Sequence, residues 1–323
     1  MDDDLPIYST GDSLFEYTDE GSALIEGVLW DGDVCMMLGS EKAGKSILAM
    51  QMAFSLTSQE PFLDKYPIPE KVAIAYFQTE GKLGDFKRRM ACMKNAIEID
   101  RAIFHHFYRK FFPFDDPANI KKFEGMILKL SPKPRVIFLD SLYTSMQGDL
   151  IDNKEVRNFI ACISPFLEKH KLTLVIIHHE TKIQFDQTTH QPVSMGDYGS
   201  YGSVFLRAWV EHILYLKKNK DKSRNFSCDT QRSGKVMKEE ELILVEPDPL
   251  CFQVKGDYSP STELIRSHLF KTPCISRDDL AKFTLLSQSA VTKGLRVLLR
   301  DKIICKSNTR PTLYAQAGHE FLT

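Results

Sequence analysis

A glycine-rich octapeptide in the N-terminal part of the chain has the residue types that bind phosphate. It runs Gly39-Ser40-Glu41-Lys42-Ala43-Gly44-Lys45-Ser46 and fits the pattern G-x-x-x-x-G-K-[ST] at every fixed position. Apolar runs precede it and follow it from Ile47, so its context is strand, loop and buried helix. Glycines let the loop turn its N–H groups inward, and the helix behind adds its positive end. We expect a polyphosphate site, with Lys45 on the β and γ phosphates and Ser46 on Mg²⁺.

Other reactive side chains come at the ends of further apolar runs of strand length. They are Glu80, Asp140 and the adjacent pair His178 and His179. Because parallel strands end at one edge of a sheet, these groups are expected beside the phosphate loop. Asp140 is then placed to hold Mg²⁺ opposite Ser46, and Glu80 to orient or deprotonate the water that attacks the γ-phosphate. A histidine at this edge can donate a hydrogen bond to the γ-phosphate.

Each of these residues also has a plainer interpretation. Glu80 can be an exposed glutamate at a helix start, and Asp140 can cap the following turn. Adjacent histidines are more often structural or a weak metal site. Neighbouring side chains on a strand point to opposite faces, so both cannot easily ligate one ion.

Strands and helices alternate around these groups. Nearly continuous apolar strands belong to a parallel sheet that is covered on both faces. The predicted fold class is therefore α/β, a RecA-like, doubly wound and mainly parallel sheet. Further along, periodicity is lost from residue 183 to 203, which predicts a functional loop, and antiparallel edge strands are expected in 224–230 and 241–254. The last sixty residues resemble a small winged helix-turn-helix. The expected division is an acidic lead-in at 1–18, an α/β domain at 19–254, a linker at 255–261 and a winged-helix domain at 262–323.

Composition excludes several classes of protein. The 42 Lys and Arg residues nearly balance the 43 Asp and Glu residues, so any nucleic-acid site must be a local patch. The seven Cys residues are scattered and form no C-x-x-C pair, which excludes a disulfide framework and a zinc site. The N-terminus is acidic and no apolar run is long enough to span a membrane. We expect a cytoplasmic protein with no membrane partner.

The order of the motifs resembles a known family. Over about residues 20–250 the chain is similar to the RecA-like P-loop ATPases of the RepA type (AAA_25-like), the hexameric replicative helicases of mobilisable plasmids. The segments that carry the resemblance are 39–46, 76–80, 136–141 and 176–182. It implies that the ligands are ATP and Mg²⁺, that Glu80 is the catalytic carboxylate, and that the paired histidines sense the γ-phosphate.

The resemblance also implies a homo-oligomer, a ring or a filament with ATP between subunits. A neighbouring subunit then supplies an arginine to the developing phosphate charge. Residues 230–235 resemble the basic turn that carries this arginine, so Arg232 is the first choice and Arg207 the second. Either residue can instead be an ordinary surface arginine.

DNA is the expected partner at two places. The loop 183–203 corresponds in the family to a segment that lines the central opening and contacts single-stranded DNA, where aromatic rings stack on bases. This loop contains few Lys and Arg residues. The third C-terminal helix offers cations for phosphate contacts in the major groove, although winged helices also bind proteins. The candidate nucleic-acid residues are Lys182, Tyr198, Tyr201, Lys293, Arg296 and Arg300.

Three functions remain open from the sequence. The first is an oligomeric Mg²⁺-dependent ATPase that couples hydrolysis to DNA translocation or remodelling, as a replicative helicase or a related replication or mobile-element factor. The second is an ATP-switched DNA-binding regulator or recombination mediator without processive unwinding. The third is an ATPase scaffold whose winged helix contacts proteins.

Overall fold

A computed structural model describes residues 22–179, 204–229, 237–255, 260–272, 274–300, 303–308 and 311–316. A hairpin of β1 (Ala23–Ile25) and β2 (Leu29–Trp30) precedes a nine-stranded sheet. The strands of this sheet are β3 (Val34–Gly39), β4 (Ile74–Gln78), β5 (Phe104–Tyr108), β6 (Val136–Asp140), β7 (Thr173–His179), β8 (His212–Lys218), β9 (Arg224–Asp229), β10 (Glu240–Val245) and β11 (Cys251–Val254).

The sheet has a parallel half and an antiparallel half. Its spatial order is β11-β10-β9-β8-β3-β7-β6-β4-β5. Within this order, the neighbours among β8, β3, β7, β6, β4 and β5 pair in parallel. The neighbours among β8, β9, β10 and β11 pair in antiparallel fashion. Every residue of β3, β4 and β6 is buried, as expected for parallel strands that are covered on both faces. The predicted α/β class with a mainly parallel sheet is confirmed.

Helices cover both faces of the sheet. They are α1 (Lys45–Ser58), α2 (Leu83–Met93), α3 (Pro117–Ile127), α4 (Asn153–His170) and the short α5 (Val204–Trp209). Side chains alternate along a strand, so neighbouring strand residues pack in separate cores on the two faces of the sheet. Tyr76 packs on the α1 side and Phe77 on the α4 side. Asp116 caps α3 by accepting from the Ala118 N–H over 2.8 Å, as the Asp-Pro pattern predicts.

The C-terminal part has its own small core. It contains α6 (Pro260–Lys271), α7 (Arg277–Thr284) and α8 (Gln288–Arg300), with a three-stranded sheet of β12 (Ile275–Ser276), β13 (Ile304–Lys306) and β14 (Leu313–Gln316). Leu280, Val291 and Leu298 pack together in that core. Because α6 begins at Pro260, two residues that the sequence assigned to the linker are helical.

The structure divides the segment in which the sequence predicts antiparallel edge strands. The segment 241–254 holds two antiparallel strands, β10 and β11, because Pro247 and Pro249 interrupt it and cannot donate to a strand ladder. The helices of this structure bear on whether the chain crosses a membrane. Within the described ranges, no helix has both the length and the apolar character needed to cross a bilayer. The cytoplasmic location stays a prediction.

Candidate functional site

The phosphate-loop pattern lies between β3 and α1 at the carboxyl edge of the sheet. Gly44 has φ of +104°, in the left-handed region, and α1 begins at the next residue. A Cβ atom on Gly44 would lie 2.7 Å from the Phe252 ring, and one on Gly39 would lie 2.2 Å from the Leu216 carbonyl oxygen. A side chain at either position would therefore clash with its neighbour, and only glycine fits. In the first turn of α1, the Ile47 N–H donates to the Gly44 carbonyl oxygen over 3.0 Å. The amino end of a helix carries partial positive charge and is suited to bind an anion.

Lys45 is buried at the floor of the site. Its ammonium donates to the Gly39 and Ser40 carbonyl oxygens over 2.8 and 2.9 Å, and it lies 3.1 Å from Nδ1 of His179. An ammonium group can only donate, so Nδ1 of His179 is the acceptor. A neutral imidazole then carries its proton on Nε2, which faces Glu80.

Ser46 and Asp140 form the second contact between the loop and a strand end. The Ser46 hydroxyl donates to Oδ1 of Asp140 over 3.1 Å, and the buried Tyr76 hydroxyl donates to Oδ2 over 2.8 Å. Burial raises the pKa of Asp140, and the hydrogen bonds from Tyr76 and Ser46 oppose that rise. A hydroxyl and a carboxylate are oxygen donors of the kind that Mg²⁺ prefers, so this pair fits the metal.

Glu80 comes two residues after β4 and faces both His179 and Ser141. Its Oε2 atom accepts from the Ser141 hydroxyl over 2.7 Å and lies 3.7 Å from Nε2 of His179. The 3.7 Å contact with His179 is longer than a hydrogen bond. His179 and then Ser141 outweigh partial burial and hold the pKa of Glu80 at about 2. The carboxylate is therefore ionised at neutral pH.

These groups line a single cavity of about 500 Å³. This volume is in the range of sites that hold ligands of nucleotide size. Both halves of the sheet contribute to its wall. The lining residues with polar side chains include Lys42, Lys45, Ser46, Gln78, Glu80, Arg89, Asp140 and His179 on the parallel side, and Lys218, Arg224 and Glu246 on the antiparallel side.

The structure separates the two histidines that the sequence left paired. His179 lines the cavity, while the His178 side chain is buried and is not among the lining residues. The separation follows from strand alternation. His178 therefore makes no direct contact with the cavity, contrary to the assignment of both histidines to the site.

The remaining candidates lie elsewhere or outside the described residues. Arg207 is partly buried on α5 and does not line this cavity. Lys293 and Arg296 are exposed on α8, and only the helical position of Arg300 is described. The candidates outside the described residues are Lys182, Tyr198, Tyr201 and Arg232.

Several functional neighbours were missed by the sequence. Phe86 and Arg89, three residues apart on α2, both line the cavity and are not among the residues that the sequence singles out. This spacing was a usable signal, because residues three apart share a helix face. Tyr76, Ser141 and Arg224 gave no local signal, since each acts through a partner that is distant in sequence.

Comparison with known proteins gives a family match and similar solved structures. The family model AAA_25, described as an AAA domain, matches residues 9–184, more than half of the 323 residues. One similar solved structure is the KaiC-like protein PH0186 from the hyperthermophilic archaeon Pyrococcus horikoshii OT3. It is 16% identical, covers 74% of this chain and 95% of that chain, and has a TM-score of 0.45. The search of curated proteins gave no match.

Proposed function

This chain belongs to the AAA domain family, and from that premise we propose an oligomeric, Mg²⁺-dependent ATPase that couples hydrolysis to DNA translocation or remodelling. The P-loop ATPase class follows from the family itself. The role that we propose is a replicative helicase or a related replication or mobile-element factor. The observation that carries the proposal is the convergence of Lys45, Ser46, Glu80, Asp140 and His179 on one cavity.

The residues of the cavity divide the chemistry between them. Lys45 is placed to neutralise the β and γ phosphates, and Glu80 to orient the attacking water as an ionised acceptor. Ser46 and Asp140 would hold Mg²⁺, which supplies positive charge to the phosphate oxygens. His179 lies between Lys45 and Glu80. Loss of the γ-phosphate would change the contacts of both residues and therefore the surroundings of His179. It is our candidate sensor, at the end of the strand that leads into residues 180–203.

Assembly is part of the proposal. ATP would lie between subunits, and an arginine of the neighbouring subunit would stabilise the charge that develops on the phosphate. Arg232 is the first candidate and Arg207 the second. The position of Arg207 away from the cavity of its own subunit is compatible with a role at the next subunit's site.

The DNA part of the proposal is supported by the C-terminal helices. Three residues, 285–287, join α7 to α8, and α8 exposes Lys293 and Arg296 on its surface. Two helices joined by a short turn, the second bearing exposed cations, suit phosphate contacts at a major groove. Arg300 and the loop candidates Lys182, Tyr198 and Tyr201 complete the proposed contacts.

One experiment tests the coupling. ATP turnover, particle size and strand displacement are measured together, with and without single-stranded DNA and a non-hydrolysable ATP analogue. We expect the analogue to enlarge the particle, DNA to raise turnover, and a forked duplex to be unwound. Lys45→Ala is the control and should lose nucleotide binding. Turnover that ignores DNA, with no unwinding and no assembly, would contradict the proposal. DNA-dependent assembly without unwinding would favour the ATP-switched regulator.

A second function is favoured by one observation. Phe283 and Leu285, at the α7–α8 turn, are 66% and 92% exposed, and large exposed apolar side chains are typical of protein contact surfaces. They favour the ATPase scaffold that uses its C-terminal part to bind protein. Duplex binding that weakens with salt and with the paired change Lys293→Ala and Arg296→Ala would decide for DNA. Duplex binding that neither salt nor the paired substitution weakens would decide for the scaffold.

A further inference from the structure

The hydroxyl of Ser141 holds one oxygen of the Glu80 carboxylate. Ser141 directly follows β6 and is fully buried, and its Oγ atom donates to Oε2 of Glu80 over 2.7 Å. Within the described part of the chain, no hydrogen bond reaches the other oxygen, Oε1, and the Glu80 side chain is 52% exposed. The carboxylate is thus fixed through one oxygen, while the other is available to a water molecule in the cavity.

Ser141 is itself held firmly between two strand ends. Its N–H donates to the Thr79 hydroxyl over 3.0 Å, and its carbonyl oxygen accepts from the hydroxyls of Thr79 and Ser145 over 3.1 and 2.8 Å. The N–H groups of Thr79 and Glu80 both donate to the Asp140 carbonyl oxygen, over 2.7 and 3.3 Å. The ends of β4 and β6 are therefore joined on both sides of the point where the Ser141 hydroxyl meets the carboxylate.

The carboxylate needs such a restraint because donors compete for it. Nε2 of His179 lies 3.7 Å away, and His179 in turn contacts the Lys45 ammonium. A half-exposed carboxylate that is free to rotate turns towards the nearest N–H donor, here Nε2 of His179. Bound in that way, it would no longer present an oxygen to the water that attacks the γ-phosphate.

We propose that Ser141 is a positioning residue for ATP hydrolysis, which orients Glu80 towards the attacking water. The proposal rests on the role of Glu80 put forward above. Ser141 contacts no phosphate in this scheme and acts only through the carboxylate. Loss of its hydroxyl should therefore lower the rate of the chemical step and leave nucleotide affinity unchanged.

Ser145 provides a matched control. It is also a fully buried serine and donates to the Ser141 carbonyl oxygen, but it makes no contact with Glu80. Ser141→Ala and Ser145→Ala each remove one buried hydroxyl from the same turn. A purely structural effect on this turn should appear in both variants, whereas an effect through Glu80 should appear in Ser141→Ala alone.

The test compares four variants in the full chain: Ser141→Ala, Ser145→Ala, Glu80→Gln and the double variant Ser141→Ala with Glu80→Gln. ATP affinity and single-turnover rate are measured for each. We expect Ser141→Ala to lower the rate by about tenfold to a hundredfold, as for a hydrogen bond to a charged group, with unchanged affinity. Ser145→Ala should stay within about twofold to threefold of wild type, well short of that loss.

A further result is specific to positioning. Ser141→Ala should lower the rate no further when Glu80→Gln is already present, because both changes act on one contact. If Ser141→Ala does not fold, Ser141→Cys, a weaker donor of similar size, takes its place with the same criteria.

The outcomes separate this proposal from the one on which it rests. If Glu80→Gln turns over like wild type, the role of Glu80 fails and the role of Ser141 fails with it. If Glu80→Gln is inactive while Ser141→Ala matches Ser145→Ala, only the role of Ser141 is overturned. Additive losses in the double variant would also overturn it, because they would show that Ser141 acts independently of the carboxylate.

Discussion

The two halves of the nine-stranded sheet both contact the phosphate loop, but they contribute differently. In the parallel half, strands that run in one direction bring Glu80, Asp140 and His179 to the same edge. The antiparallel half contacts the loop mainly through backbone and packing: the Leu216 carbonyl lies against Gly39. Reactive groups therefore come from one half of the sheet, and the shape of the loop is restrained by the other.

Three further contacts add to that restraint. The buried Arg224 of β9 donates from Nε to the Ala43 carbonyl oxygen over 2.7 Å. The Phe252 ring of β11 packs against Gly44. The Gln51 side chain on α1 exchanges two hydrogen bonds with the Phe252 backbone, over 2.9 and 2.7 Å. Changes in the parallel half should thus alter the rate of hydrolysis, and changes in the antiparallel half should alter nucleotide affinity.

The largest expected effect is in the parallel half. Glu80→Gln keeps the shape of the side chain but removes the ionised acceptor, so we expect turnover to fall by about a hundredfold to ten-thousandfold. Nucleotide affinity should stay close to wild type, because Lys45 and the loop are unchanged. Equilibrium ATP binding and single-turnover rates check both values, and a loss of affinity of the same size as the loss of rate would break the comparison.

A loop glycine should give the next largest effect. Gly44→Ala places a Cβ atom 2.7 Å from the Phe252 ring, at a left-handed residue where alanine costs about 1–2 kcal/mol. We expect ATP affinity to fall about tenfold or more, measured by equilibrium binding, with a lower melting temperature. Gly84→Ala is the control, because its Cβ has nothing within 4 Å and alanine favours the helix. Equal affinities in both variants would contradict the restraint.

Arg224 should give a smaller effect in the antiparallel half. Arg224→Met removes the donor to the Ala43 carbonyl while retaining an apolar stem, and we expect ATP affinity to weaken about threefold to tenfold. The rate from bound ATP should stay within about twofold, because no group of the chemical step moves. Arg101→Met, at an exposed arginine, is the control. A rate loss larger than the affinity loss would assign Arg224 to the chemistry.

The smallest expected effect is on acid stability. The lowered pKa of Glu80, about 2 against an ordinary 4.5, means that its ionised form stabilises the fold above pH 4.5. That contribution is lost as the pH falls from about 4.5 towards 2. Urea unfolding of wild type and Glu80→Gln should therefore differ by a constant free energy from pH 7 to 5 and by less below. The effect is small because half of the side chain is exposed.

Much of the site followed from local sequence. The glycine pattern identified Lys45 and Ser46, and the ends of apolar runs identified Glu80 and Asp140, because parallel strands share an edge. The choice between His178 and His179 could not be made in this way. It depends on the register of β7, which pairs His179 with Gly39 at the start of the phosphate loop. Strand register is set by packing, so two adjacent identical residues do not show which of them faces the cavity.

The sequence by itself determined the α/β class, the phosphate loop and the carboxylates beside it, because each depends on residues close together in the chain. Only the tertiary structure decided which side chains hold those groups in place. Ser141 meets Glu80 across 61 residues, and Arg224 meets Ala43 across 181. Contacts over such separations arise from the order in which strands join the sheet, and no local pattern of residues encodes that order.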